Sequence, residues 1–308
     1  MNGKHRSIGG LLALLLLNAC AGRGGGAGVA SPGTGGAVAA GEMDGASDGI
    51  AATETNRAGA GAGADGASDD PAPLPRFSFF VTSLGAMRAL SGSQSGFGGD
   101  LRFGEATGLA GADKICGEIA EQSMPGARAK GWRAFLSTVS GPVHAIDRVG
   151  QGPWYDRLGR VVALTVDALL ADRPMGADPA IIDDLPNEDG VPNHSDGAPG
   201  CVGHDCPDNH DILTGTNAQG HLFSTNPLTT CHDWTSAVPE DPGSADNGPR
   251  CGHSWPRDGS GTNWMSSLAE GGCGPGVNQV EMGGPVQGTF TVGTGGGYGG
   301  IYCFALTP

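Results

Sequence analysis

The chain has 308 residues, a formal net charge of −15 and 58 glycines. An excess of 32 acidic over 17 basic residues disfavours a nucleic-acid partner, because the phosphate backbone would be repelled. A single apolar run excludes a multi-pass membrane protein, and glycines without a three-residue period exclude a collagen triple helix.

In chain order, the first feature reads as an address. Lys4 and Arg6 precede seven apolar residues at 11–17, and Ala19 stands before Cys20. A basic start, a short apolar run and a small residue describe a signal peptide over residues 1–19. The run is too short to cross ~30 Å of hydrocarbon as a helix. Leu17-Asn18-Ala19-Cys20 resembles a bacterial lipobox, which implies lipidation at Cys20. The alternative is an ordinary buried or disulfide-bonded Cys20 after signal cleavage. The lipidated reading implies a bacterial cell-envelope protein, at the outer membrane, touching the bilayer only through its acyl chains.

Residues 20–76 read as a disordered Gly/Ala-rich tether. They hold no aromatic residue and 15 glycines, and they contain the near-repeats Asp44-Gly45-Ala46-Ser47-Asp48 and Asp65-Gly66-Ala67-Ser68-Asp69. Such a segment has too little apolar surface to offset the entropy of ordering.

Every aromatic residue lies in residues 77–308, which read as one α+β domain. A strand is expected at 77–82, followed by a Gly/Ser loop. Leu109, Ala112, Cys116 and Ile119 share one face of a helix that ends at Met124-Pro125-Gly126. A strand at 132–138, a hairpin at 154–164 and a second short helix at 166–171 follow. After a long polar loop, short strands are expected at 212–214 and 232–236, and a final strand at 300–306.

Without Cys20, seven cysteines remain in a chain read as exported, so at least one is free, metal-bound or intermolecular. A bridge between Cys116, on the helix, and Cys303, in the last strand, would tie the two ends of the domain. Spacing alone does not set the pairing.

The order of these segments carries a resemblance. Gly111-Ala112-Asp113 through Cys116, Trp132-Arg133-Ala134-Phe135-Leu136-Ser137, the 154–164 hairpin, Asn217-Ala218-Gln219-Gly220, Cys231-His232-Asp233-Trp234-Thr235-Ser236, Cys273 and Tyr302-Cys303-Phe304 follow one another. This order resembles the endostatin domain of collagens and the endostatin-like domains of bacterial lipoproteins. It implies a C-type-lectin-like fold with two short helices, short mixed strands, long loops and disulfide staples. It also implies the nested pairs Cys116 with Cys303 and Cys231 with Cys273. Cys201, Cys206 and Cys251 depart from the family. Cys201 and Cys206 are the candidate third pair, which leaves Cys251 free; a bridge from Cys251 to either one fits equally well.

The densest charge lies at 172–211, with ten acids and the single base Arg173. The plain reading is a solvated loop. The functional reading is calcium, with Asp183, Asp184, Asn187 and Asp189 as the candidate ligands and Glu188 and Asn193 as further oxygens. Leu185 occupies the place of the first EF-hand ligand. Val191-Pro192-Asn193 and Asn263-Trp264-Met265 replace the calcium motifs of sugar-binding C-type lectins. Cys201, His204, Cys206 and His210 are a candidate zinc set. The family's own zinc site, built on N-terminal histidines, does not carry over to a domain that begins Phe77-Ser78-Phe79-Phe80. Its arginine-rich heparin surface does not carry over to an acidic domain either, and Arg133, Arg148, Arg157 and Arg160 read as structural or solvated.

No Gly-x-Ser-x-Gly elbow or His-Glu-x-x-His motif is present. Trp132 and Trp234 sit in core-like strands. Trp154, Trp255 and Trp264 lie beside Gly/Pro-rich loops and are the candidate ligand-binding tryptophans. The expected function is therefore non-enzymatic and adhesin-like, with an extracellular protein or carbohydrate as partner. Two alternatives remain. One is an exported enzyme using a metal or reactive cysteine, since C-type-lectin-like folds also occur in formylglycine-generating enzymes; the other is a structural envelope lipoprotein.

Overall fold

The computed structural model describes residues 74–194, 209–244, 246–256, 263–279 and 288–308. Cys20, Cys201, His204 and Cys206 lie outside the described residues. The described part is mixed α+β.

Its first strand, β1 (Phe79–Val81), leads into helix α1 (Leu84–Ser91), where the sequence predicts a loop. Ser83 caps α1, its hydroxyl accepting from the Ala86 N–H, and Gly92 ends it in a left-handed conformation. Leu84 and Met87 are its buried residues. Gly85, a weak helix former, masks that signal in the sequence. Helix α2 (Gly108–Ser123) is capped by Thr107 and buries Ala112, Cys116 and Ile119. Gly111 is required there: a Cβ would lie 2.1 Å from the carbonyl oxygens of Leu101 and Arg102.

Strand β2 (Trp132–Ala134), the hairpin of β3 (Trp154–Tyr155) and β4 (Val161–Ala163), and the one-turn helix α3 (Val166–Leu169) come next. They are followed by β5 (Asp211–Leu213), β6 (Arg250–His253), β7 (Leu268–Ala269) and β8 (Gly297–Ala305). The main sheet runs β1-β8-β5-β6-β7, and β2 also pairs β8. Its centre is β8, antiparallel to β1 and β2 and parallel to β5.

All nine residues of β8 are buried because both faces of the sheet are covered. Ile301 and Cys303 point into a core with Phe80, Ile115, Cys116 and Trp132. Tyr302 and Phe304 point into a second core with Phe79, Trp154, Ile212 and Trp264. A fully buried Phe or Leu contributes about 1.5–3 kcal/mol, so these two layers are the main source of stability. The bonds between Cys116 and Cys303 and between Cys231 and Cys273 join α2 to β8 and the turn at Cys231 to the segment between β7 and β8. Cys251 carries a free, buried thiol.

The arginines of the middle segment are structural. Arg148 binds both oxygens of Asp113 at 2.8 Å, and Arg160 pairs with fully buried Asp156 at 2.6 Å. Arg157 donates to Ser123 at 3.0 Å. Arg133 lies 3.7 Å from Asp113.

The segment Cys231–Trp234 corrects the strand expected at 232–236. Its four residues have φ of 45°, 54°, 59° and 63°, one turn of left-handed helix without a glycine. Each such residue costs about 1–2 kcal/mol, so surrounding structure must impose the turn. The Asp233 carboxylate accepts from the N–H groups of Val139 and Ser140, and the Trp234 indole N–H donates to the Ser137 carbonyl at 2.8 Å. His232 is exposed and holds none of these contacts. His232→Gly should therefore stabilise the protein by about 0.5–1 kcal/mol, the relief of strain exceeding the added entropy of the unfolded chain. Urea melts of the two proteins check this.

Candidate functional site

Two of the three candidate tryptophans are core residues. Trp154 stacks edge-on against Phe304, and Trp264 is fully buried with its indole N–H donating to the Leu169 carbonyl at 2.8 Å. Gly152, with φ of 82°, marks a tight turn ahead of Trp154, not an open surface. Trp255 is half-buried and stacks flat on His194 with ring centres 4.4 Å apart.

The candidate calcium ligands do not converge. Asp183 and Asp189 are exposed. Asp184 binds the ring and backbone N–H of His194. The Asn187 side-chain oxygen accepts from the N–H groups of Asp189 and Val191, at 3.0 and 3.1 Å. Ile181 and Leu185 pull the segment into the core, which spreads its carboxylates outward.

Glu188, between them, is buried at the N-terminus of α1. Its carboxylate accepts from the Ser83 N–H at 2.9 Å and the Ser83 hydroxyl at 2.5 Å. It borders a cavity of about 470 Å³ lined also by Ala86, Gln122, Ser123 and Asp189. Burial pushes its pKa up to about 7, although the Ser83 hydrogen bonds pull the other way.

Of the predicted zinc set, His210 alone lies within the described residues, and it stands in a second group. Among the described residues, the one group of three or more potential metal ligands is His210, Asp211 and His253. Asp211 opens β5 and stands opposite His253, the last residue of β6, in antiparallel register. Cross-strand partners share a face, so both side chains project together. His253 Nε2 lies 2.9 Å and His210 Nε2 3.4 Å from Asp211 Oδ1. The two imidazoles meet edge to face at 4.4 Å. His253 Nδ1 faces the Ser267 hydroxyl at 3.3 Å. Arg173, the lone base of the acidic segment, donates to the carbonyls of His253 and Ser254 at 2.7 and 2.6 Å and so fixes the end of β6. All three clustered residues are at most 3% exposed.

Glycine makes the room for this cluster. A Cβ on Gly295 would lie 2.5 Å from Asp211 Oδ2, and one on Gly297 would lie 2.8 Å from Glu270 Oε1 and 3.0 Å from the Asp211 carbonyl oxygen. The Gly295 N–H donates to Glu270 Oε2 at 2.8 Å. Because backbone resists displacement, Gly297→Ala should cost about 2 kcal/mol in chemical denaturation. The sequence hides the set because 42 residues separate Asp211 from His253. Its one trace is the adjacent pair His210-Asp211 at the mouth of a predicted strand.

The surface carries one further feature near the left-handed turn. A groove of about 540 Å³ is lined by Phe97, Asp100, Arg102, Phe103, Glu105 and Ala237. Phe97 and Phe103 meet edge to face at 5.6 Å, and Arg102 pairs with Asp100. No helix of the described residues is long and apolar enough to cross a membrane. The chain matches no family model, no curated protein and no solved structure.

Proposed function

We propose that residues 77–308 are an endostatin-like, C-type-lectin-like module that binds an extracellular protein or carbohydrate and performs no catalysis. In this reading acylated Cys20 anchors the chain in the bacterial outer membrane, and the 20–76 tether holds the module away from it. The carrying observation is the covalent frame: among the described residues, two disulfides close the domain over separations of 187 and 42 residues. Such bonds persist in oxidising compartments, which supports export. The open groove beside the stapled turn, with its aromatic floor and charged rim, is the surface we assign to the partner.

Cys251 offers the enzyme alternative little support. It is fully buried, and burial raises its thiol pKa well above the ordinary value, with Glu270 and Asp211 acting in the same direction. A thiol held protonated and shielded is a poor nucleophile. A glycan and matrix-protein array probed with the oxidised chain tests the proposal. Saturable binding that is lost on Arg102→Glu is the expected result. An array without binders, or binding indifferent to that substitution, overturns it.

A further inference from the structure

We propose that His210 Nε2, Asp211 Oδ1 and His253 Nε2 bind a single divalent transition-metal ion, zinc by ligand type, as a cross-link between neighbouring strands. This inference goes beyond the binding-module reading and does not depend on it. Zinc takes imidazole nitrogen and carboxylate oxygen at about 2.0–2.2 Å, which sets tetrahedral ligand pairs about 3.4 Å apart. The observed separations of 3.4 and 2.9 Å lie at and somewhat below that spacing, and all three ligand atoms lie within 4.8 Å of one another.

The surroundings have the form of a metal's outer sphere. The Ser267 hydroxyl faces His253 Nδ1, so a proton held there leaves Nε2 as a lone-pair donor toward the ion. Arg173 fixes the backbone of His253 through its carbonyl without approaching as a ligand. Asp211 and Glu270 place two carboxylates at about 1% exposure over a glycine floor, within a domain already rich in acid. Gly295 and Gly297 keep the floor clear of side chains, and the short β5–β6 pairing then carries the ligands on rigid backbone. The three side chains fill three of zinc's four tetrahedral positions, and at no more than 3% exposure they are shielded from bulk solvent, so the bound ion would act as a cross-link between β5 and β6.

The test uses the untagged, oxidised full chain, with metal content measured by plasma mass spectrometry after zinc loading and desalting. We expect about one zinc per chain, falling at least tenfold in His253→Gln and in Asp211→Asn. Cys201→Ser with Cys206→Ser should retain it. Disulfide content and circular dichroism establish that each variant is folded. Should His253→Gln not fold, cobalt substitution of the wild-type chain decides. Tetrahedral Co²⁺ absorption without a thiolate charge-transfer band supports the assignment. A thiolate band, zinc retained in His253→Gln, or no bound metal in the wild-type chain overturns it.

Discussion

Replacing Cys116 and Cys303 together with alanine should destabilise the domain by about 5 kcal/mol, the largest effect of any change considered. The bond spans 187 residues and joins α2 to the central strand β8. A cross-link stabilises chiefly by removing conformations from the unfolded chain, and the gain rises with the logarithm of the loop. The same relation gives about 4 kcal/mol for the 42-residue separation between Cys231 and Cys273. The order is therefore a second, sharper expectation: loss of the longer bridge costs more. Urea midpoints of the two double variants, with equal slopes, measure it. A domain of marginal total stability would lose most of it with the first bridge. An equal or reversed order would mean that native strain or residual structure, not loop entropy, sets the contribution.

The second large effect is a dependence on pH traced to Glu188. Its folded pKa is raised from the ordinary 4.5 to about 7, first by burial and further by neighbouring Asp189. The folded state thus holds this proton more tightly than the unfolded state. Stability from this group is complete below about 4.5 and declines as pH rises to about 7, where the buried carboxyl ionises. A shift of that size corresponds to at most about 3 kcal/mol. Glu188→Gln mimics the protonated form and keeps an acceptor for Ser83. Wild type and variant should therefore match near pH 5, and the variant should be the more stable by up to about 3 kcal/mol at pH 8. Chemical denaturation at both values checks this; parallel profiles would show that Glu188 ionises freely when folded.

The sequence made some of this architecture legible because local and tertiary forces agree there. The spacing of Ala112, Cys116 and Ile119 and the aromatic run of β8 both report on burial, and burial is what the fold delivers. α1 escaped because Gly85 lowers its helix signal while Ser83 and Gly92 do the capping. The 232–236 segment reads as a strand from its composition. Contacts from Asp233 and Trp234 to the 137–140 loop, and the Cys231 bond, hold it instead in a left-handed turn that no propensity favours. Tryptophans near glycine read as exposed until tertiary packing closes over Trp154 and Trp264. The His210, Asp211 and His253 cluster needed strand register, which single-sequence spacing does not contain.

In the proposed reading the chain is exported, its module is covalently closed and its anchor is Cys20. Peptide-mapping mass spectrometry of the protein extracted from bacterial membranes, alkylated before unfolding, tests that most directly. The predicted result is a mature chain beginning at an acylated Cys20, with Cys116 linked to Cys303, Cys231 linked to Cys273, and Cys251 unmodified until the protein is denatured. A chain that retains Met1, or one in which Cys116 and Cys303 take up alkylating agent in the native state, would contradict it.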